Sequence, residues 1–248
     1  LAVADYPFLA PARADALRYP QTGALLGAKL VNGYEPIVPT SYARLVGKLA
    51  MGGGVGDPEV LGLDHHALDV LGARWVRLAP EKWQLSAWSR AIADHPRWDR
   101  LPDEGPVVVF ANHRALPRAW RPTRVLGRTA TQIAWIMRDD TAFNPRRTAL
   151  VEGEAQRLPA WTPGEAWAKT LAPNRLLLRT RGSGPGLVVV SEAWSPGWTA
   201  RVGARALPVL QVDGLVLGVE VPAGEQVVEL AYVPPAWPRA WQTSAVAL

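Results

Sequence analysis

Between residues 174 and 233 short apolar runs alternate with turn residues, and this pattern limits the fold more than any other feature of the chain. "NRLLLRTR" alternates apolar and polar positions, and "GSGPG" follows as a turn. "LVVVSEAW", "WTARV", "RALPVLQV", "LVLGVEV" and "QVVELAYV" continue the series. Asp213-Gly214 is a strong hairpin signal, because both residue types tolerate positive φ. In "LVLGVEV" the period of two places Leu215, Leu217, Val219 and Val221 on one face. Short strands with regular turns predict an antiparallel sandwich across 174–233.

Upstream the texture is different. A strand is expected around residues 28–31, and then a loop as far as Pro39. "SYARLVGKLAMGGG" reads as a helix, with Ser41 as cap and Tyr42, Leu45, Val46 and Leu49 on one face. Asp64 is a candidate cap for a second short helix carrying Leu68 and Leu71. "ARWVRLA" alternates like a strand, and residues 80–104 form a Trp-rich connection without a period. "GPVVVF" and "RAWRPTRVLG" read as strands. Residues 129–140 read as one amphipathic helix with Ile133, Ile136 and Met137 on a face. The fold class expected is α+β: a mixed α/β segment over 1–104, then a mainly antiparallel, jelly-roll-like sandwich over 105–248 with that helix inserted.

With 48% hydrophobic residues in 248, the chain can bury a real core. It has no cysteine, which excludes disulfides, thiolate metal sites and cysteine nucleophiles. The formal charge of +5 suits an anionic neighbour. The arginines are scattered rather than clustered, so nucleic acid is not expected as a partner. No stretch of about 18 uncharged apolar residues occurs. Because the sequence opens on Leu1 and not Met, it is expected to be a piece of a longer protein.

Several of these segments resemble one family. "SEAWSPGW", followed by "VDGLVLGVEVPAGEQVVELAYVP", resembles the end of the extracytoplasmic region of YfhO-type bacterial membrane proteins, a family that resembles the polytopic lipid-linked-sugar glycosyltransferases of the C-type superfamily. The matching positions are Ser191, Glu192, Pro196, Gly197, Trp198, Pro222, Ala223, Gly224, Leu230, Tyr232 and Pro234. "LDVLGARWVRL", "ANHRALPRAW" and "GALLGAKLVNGYEPIVPTSYARL" are similar to further segments of that family, so the likeness spans roughly residues 25–235. Where the family has Asp-Gly after the Trp strand, this chain has Val202-Gly203. The resemblance implies a soluble domain on the extracytoplasmic face of the bacterial cell membrane, joined to a membrane-embedded remainder of the same polypeptide. It implies that the catalytic acids lie in loops between membrane spans, outside this chain. It also implies a cell-envelope glycan, polymer or lipid-phosphate acceptor as ligand.

The candidate binding residues are Trp194, Trp198, Glu192, Asn112, His113 and Tyr34. Trp faces stack on sugar rings, so the pair around Ser195-Pro196-Gly197 offers a platform. The competing reading is a bend set by Pro and Gly with both Trp side chains as buried anchors, Trp198 largely and Trp194 partly. Asn112 and His113 stand at a strand end, where such residues also bond locally. His65 and His66 are adjacent and diverge by about 100° on a helix, so they do not face one metal together. The run "MGGGVGDPEV" lacks the Lys-Ser/Thr of a phosphate loop. No catalytic residue, metal or cofactor is expected in this chain. Three functions remain open: a non-catalytic domain that positions an acceptor, a free carbohydrate-binding sandwich, and a scaffold domain.

Overall fold

In the computed structural model the described residues are 2–4, 29–30, 45, 62–78, 90–102, 108–153 and 161–235. The chain divides into two compact units. The first comprises Leu1–Pro117, Thr129–Pro145 and Asp213–Leu215, and the second Arg118–Arg128, Arg146–Val212 and Val216–Leu248. The fold is α+β and mostly strand, with a mainly antiparallel sandwich as its body.

The first unit holds strands β1 (Ala2–Ala4), β2 (Lys29–Leu30), β3 (Trp75–Leu78), β4 (Trp98–Arg100) and β5 (Val108–Asn112). They form one antiparallel sheet in the order β2-β1-β3-β5-β4. A short helix, α1 (Ala67–Val70), precedes β3. Its N-cap is His66 rather than the expected Asp64, and no cap side chain bonds to it. The first helical N–H, on Ala67, is instead accepted by His65 Nδ1 at 3.0 Å. Helix α2 (Ala130–Asp139) matches the amphipathic reading and also belongs to the first unit. Thr129 and Gln132 close a reciprocal capping box at its start, at 3.0 and 3.3 Å. Ile133 and Met137 are buried, while Ile136 is partly exposed. Of the helix expected from Ser41, only Leu45 is described, and it is helical and buried. The other residues of that helix, Tyr34 and the glycine run at 52–54 lie outside the described residues.

The second unit is the sandwich. One sheet has six strands in the order β6-β11-β15-β14-β8-β7. These are β6 (Ala119–Trp120), β7 (Arg124–Arg128), β8 (Thr148–Glu152), β11 (Gly186–Ala193), β14 (Val209–Val212) and β15 (Val216–Val221). The other sheet has five strands in the order β13-β12-β16-β10-β9. They are β9 (Gly164–Ala172), β10 (Arg175–Gly182), β12 (Trp198–Val202), β13 (Arg205–Leu207) and β16 (Gly224–Tyr232). Only the β7–β8 pair is parallel among the described strands. Each expected strand from residue 174 onward is present. Pro208 separates β13 from β14, since proline has no N–H for a ladder. Asp213 and Gly214 turn at φ of 53° and 68°, and Val212 pairs with Val216 across the hairpin.

The two sheets enclose one core. Leu176, Leu178, Val228, Leu230 and Ala200 meet Val188, Val190, Leu217, Val219 and Val221 there. Leu215 is buried as well, but it precedes β15 and belongs to the first unit. On β11 and β15 the alternation disappears, because Leu187, Val189 and Val216 on the opposite face are also fully buried. Three strands, β1, β8 and β9, carry no reading in the sequence, and β4 lies in the stretch read as a connection.

Arg121 lies at the end of the sandwich where β9, β10 and β11 meet. Its guanidinium donates to Thr180 Oγ1 at 3.2 Å and to the carbonyls of Thr162 and Gly184 at 3.2 and 3.1 Å. Among the described residues no carboxylate pairs with it, and burial lowers its pKa. The guanidinium lies against Gly182 and Gly186, so a Cβ at either would collide with it. Gly186→Ala is therefore expected to cost about 1–3 kcal/mol of unfolding free energy, as overpacked sites do. In an Arg121→Ala background the same change should cost at least about 1 kcal/mol less. Urea unfolding of the four proteins measures the coupling, and strict additivity would separate the glycine from the arginine.

Candidate functional site

Three places in the described structure gather chemically able side chains. The first is the Trp corner. Strand β11 lies in the six-stranded sheet and β12 in the five-stranded one, so residues 194–197 carry the chain from one sheet to the other. Gly197 sits at φ 110°, a conformation that side chains rarely adopt. A Cβ there would also strike the Val233 carbonyl. The Val233 N–H donates to the Gly197 carbonyl at 3.1 Å, and Trp198 pairs with Tyr232 in register. Their rings lie 5.4 Å apart, tilted by 45°. Ser195 Oγ and Tyr232 Oη are 3.4 Å apart.

Both tryptophans of the corner are half-buried and pack on the sandwich core. Trp198 is thus less buried than the sequence predicts. It stands at the first position of β12, at the rim of the core, and Tyr232 covers one side of it. Glu192 is tied to Arg118 by an ion pair, and the Ser191 N–H donates to the Arg118 carbonyl at 2.9 Å. The side chains offered as a sugar platform are therefore occupied in holding a sheet-to-sheet crossing.

The second place is a buried polar network in the first unit. Asp69 sits on α1 between the apolar Leu68 and Val70, and its side chain is only 2% exposed. Arg97 Nη2 donates to Asp69 Oδ1 at 2.6 Å, and Arg97 Nε donates to Asn112 Oδ1 at 2.9 Å. Arg97 Nη1 reaches the carbonyls of Leu63 and His65 at 2.7 and 3.2 Å. Asn112 Nδ2 donates to the Ala73 carbonyl at 2.9 Å. The guanidinium of Arg97 also lies 5.1 Å from the Trp98 ring. Each donor of this group finds an oxygen, so α1, β3, β4 and β5 are fastened at one point. His66 bridges further, with Nδ1 at 3.3 Å from Asp69 Oδ2 and Nε2 at 2.9 Å from the Asp140 carbonyl.

Asn112 therefore belongs to the internal fastening. His113 is exposed at the rim, where its Nε2 lies 2.7 Å from Asp99 Oδ2. Nearby, Asp64 meets Arg114 and His95 at 3.1 Å each. Both ring nitrogens of His66 are engaged within the network, and the ring is buried. It offers no free basic atom to a substrate. Among the described residues, no three His, Asp or Glu side chains converge as a metal site.

The third place was not singled out in the sequence. It is the solvent face of the five-stranded sheet. Register puts Trp167 opposite Arg179, and Arg179 opposite Val227, in one row across β9, β10 and β16. Trp167 is 52% and Val227 47% exposed. Lys169 and Leu177 form the next row with Glu229 and Arg201. Arg181 pairs with Glu165 at 3.3 Å and Arg175 approaches Glu229 at 4.0 Å. Arg179 has no acidic partner among the described residues. The signal was available in "EAWAKTL". Its small residues, Ala166 and Ala168, pack on the core, and its large one points to solvent.

Comparison with family models, curated proteins and solved structures finds no match for the chain.

Two outcomes follow from the polar network. Arg97→Met removes the shortest partner of the buried Asp69 carboxylate and leaves it the longer contacts of Arg114 and His66 at 3.4 and 3.3 Å, and is expected to cost about 2–4 kcal/mol in urea unfolding. A loss below about 1 kcal/mol would remove the pair as a fastening. His65 is buried, and desolvation lowers its pKa to about 4. The unfolded imidazole takes up its proton near pH 6.5, before the folded one does. His65 thus contributes stability that is full above about pH 6.5 and is lost as pH falls toward 4, roughly 3 kcal/mol in all. His65→Gln should flatten the fall in stability between pH 7 and 4.5 relative to the parent. Parallel pH profiles would contradict this.

Proposed function

We propose that this chain is a non-catalytic domain on the extracytoplasmic face of a bacterial membrane protein of the glycosyltransferase-like type. It holds or presents an anionic envelope glycan or lipid-linked acceptor to a membrane-embedded remainder of the same polypeptide. One observation carries the reading. Residues on which the family resemblance rests, far apart in the sequence, meet in space: Gly197 and Trp198 adjoin Tyr232 at the β12–β16 ladder, and Ser191 and Glu192 close the strand β11 that leads into this crossing. A set of matching letters that builds one sheet crossing is a coherent structural unit, and its residues have packing reasons to occur together. The basic balance of the chain supports an anionic ligand.

The reading gives the sandwich a supporting role in the chemistry. Polar clusters in the described residues are closed by their own internal bonds, as around Asp69. Among the described residues of the sandwich, the solvent-facing sheet offers a surface that folding leaves open.

The purified 248-residue chain is expected to retain an acidic envelope polysaccharide in a binding assay. It should neither transfer sugar from a polyprenyl-phosphate sugar nor cleave the polysaccharide, by product chromatography. Turnover of either substrate contradicts the non-catalytic role, and absence of any affinity for the polymer contradicts the holding role.

A further inference from the structure

The geometry points to the solvent face of the five-stranded sheet as a binding surface for an acidic glycan, with a sugar ring on Trp167 and its carboxylate or phosphate on Arg179. This deepens the acceptor-holding reading above and rests on it. Strand β9 is an edge strand whose large and small residues are inverted. Burial favours Trp inside and Ala outside, since a Trp side chain carries far more apolar area. The register instead sets Ala166 and Ala168 opposite Thr180 and Leu178, on the core side, and leaves Trp167 and Lys169 outside. A one-residue slip would reverse every one of these positions. The observed register is fixed along the whole of β9 and β10, apart from one bulge beside Arg175. Core packing therefore gives no reason for a Trp at 167.

The neighbours of Trp167 say what would sit on it. Arg179 lies directly across the ladder, with Val227 on its far side. An aromatic face stacks on the apolar face of a pyranose, and a planar guanidinium takes a carboxylate or phosphate with two parallel hydrogen bonds. Leu177 and Val227 extend the apolar strip on either side of the cation. The face is not uniformly basic, for Glu165, Glu225 and Glu229 share it. A dense polyphosphate such as RNA, or an anionic membrane, would meet those carboxylates at close spacing. A glycan carries its charges farther apart, and its hydroxyls can donate to the glutamates between them. Charge complementarity thus favours the sparsely charged glycan.

The test uses the full chain and titration calorimetry with oligogalacturonate, a sugar-phosphate oligomer, the neutral cellohexaose, oligouridylate and phosphatidylglycerol vesicles. The parent is expected to bind one or both acidic oligosaccharides, and to bind cellohexaose more weakly. Trp167→Ala and Arg179→Gln should each weaken that binding about tenfold or more, as central contacts do. Trp135→Ala, at an exposed Trp of the first unit, should leave it unchanged. Both test positions face solvent, so unaltered melting midpoints establish that the variants are folded. Oligogalacturonate against sugar-phosphate separates a carboxylate from a phosphate ligand. If the parent binds an acidic oligosaccharide and both variants bind it equally well, the location is wrong while the acceptor-holding reading stands. If the parent binds none of the sugars, both fail. If binding to RNA or vesicles is the affinity that Trp167→Ala removes, the surface has a different occupant and the inference falls.

Discussion

The sandwich depends on the burial of β11 and β15 on both faces. Leu187 through Val190 and Val216, Leu217 and Val219 are all fully withdrawn from water. Truncating any of the large ones would cost about 2–5 kcal/mol, a large share of a domain's margin of roughly 5–15. Every other strand of the unit is arranged around this pair. One face of the pair forms the core with β10, β12 and β16, whose outward faces stay wet. The six-stranded sheet thus has little freedom in its central side chains. The five-stranded sheet has one face whose composition packing does not dictate.

That asymmetry separates scaffold from surface. At the corner, Gly197 and Trp198 are specified by backbone conformation and by contact with Tyr232 and the core. In the first unit, Asp69, Arg97 and Asn112 are specified by one another. A buried ion pair of this kind is weak evidence for net stability, because desolvation offsets much of its Coulomb energy. Its effect is positional, since removing Arg97 leaves Asp69 only its longer contacts with Arg114 and His66. Trp167 and Arg179 satisfy no such internal demand, and an exposed Trp facing a guanidinium with no acidic partner among the described residues is the chemistry on which the inferred recognition rests.

Much of the fold was legible because β-strands write their burial at a period of two and their turns in Gly, Pro and Asp. The strands from residue 174 onward carry both marks. Strand β9 carries neither, since its inward residues are alanines and most of its length is exposed. Strand β8 is a short apolar run that has no alternation to read. The network around Asp69 was hidden for a different reason. Its members come from residues 69, 97 and 112, and only the sheet brings them together. A charged residue between Leu68 and Val70 on a short helix was the available clue. The corner motif was legible as a bend. Its tryptophans drew attention as a platform, although Trp167, the exposed Trp among the described residues of the sandwich, lies in a segment without apolar alternation.

The central claim is that recognition belongs to the sheet face and not to the corner. Indole N–H resonances report this directly, because each of the 12 tryptophans gives its own signal. Titrating an acidic oligosaccharide into the labelled chain, with assignments from single Trp substitutions, should shift the Trp167 indole resonance and leave those of Trp194 and Trp198 in place. Shifts at Trp194 and Trp198 with Trp167 unmoved would contradict the account.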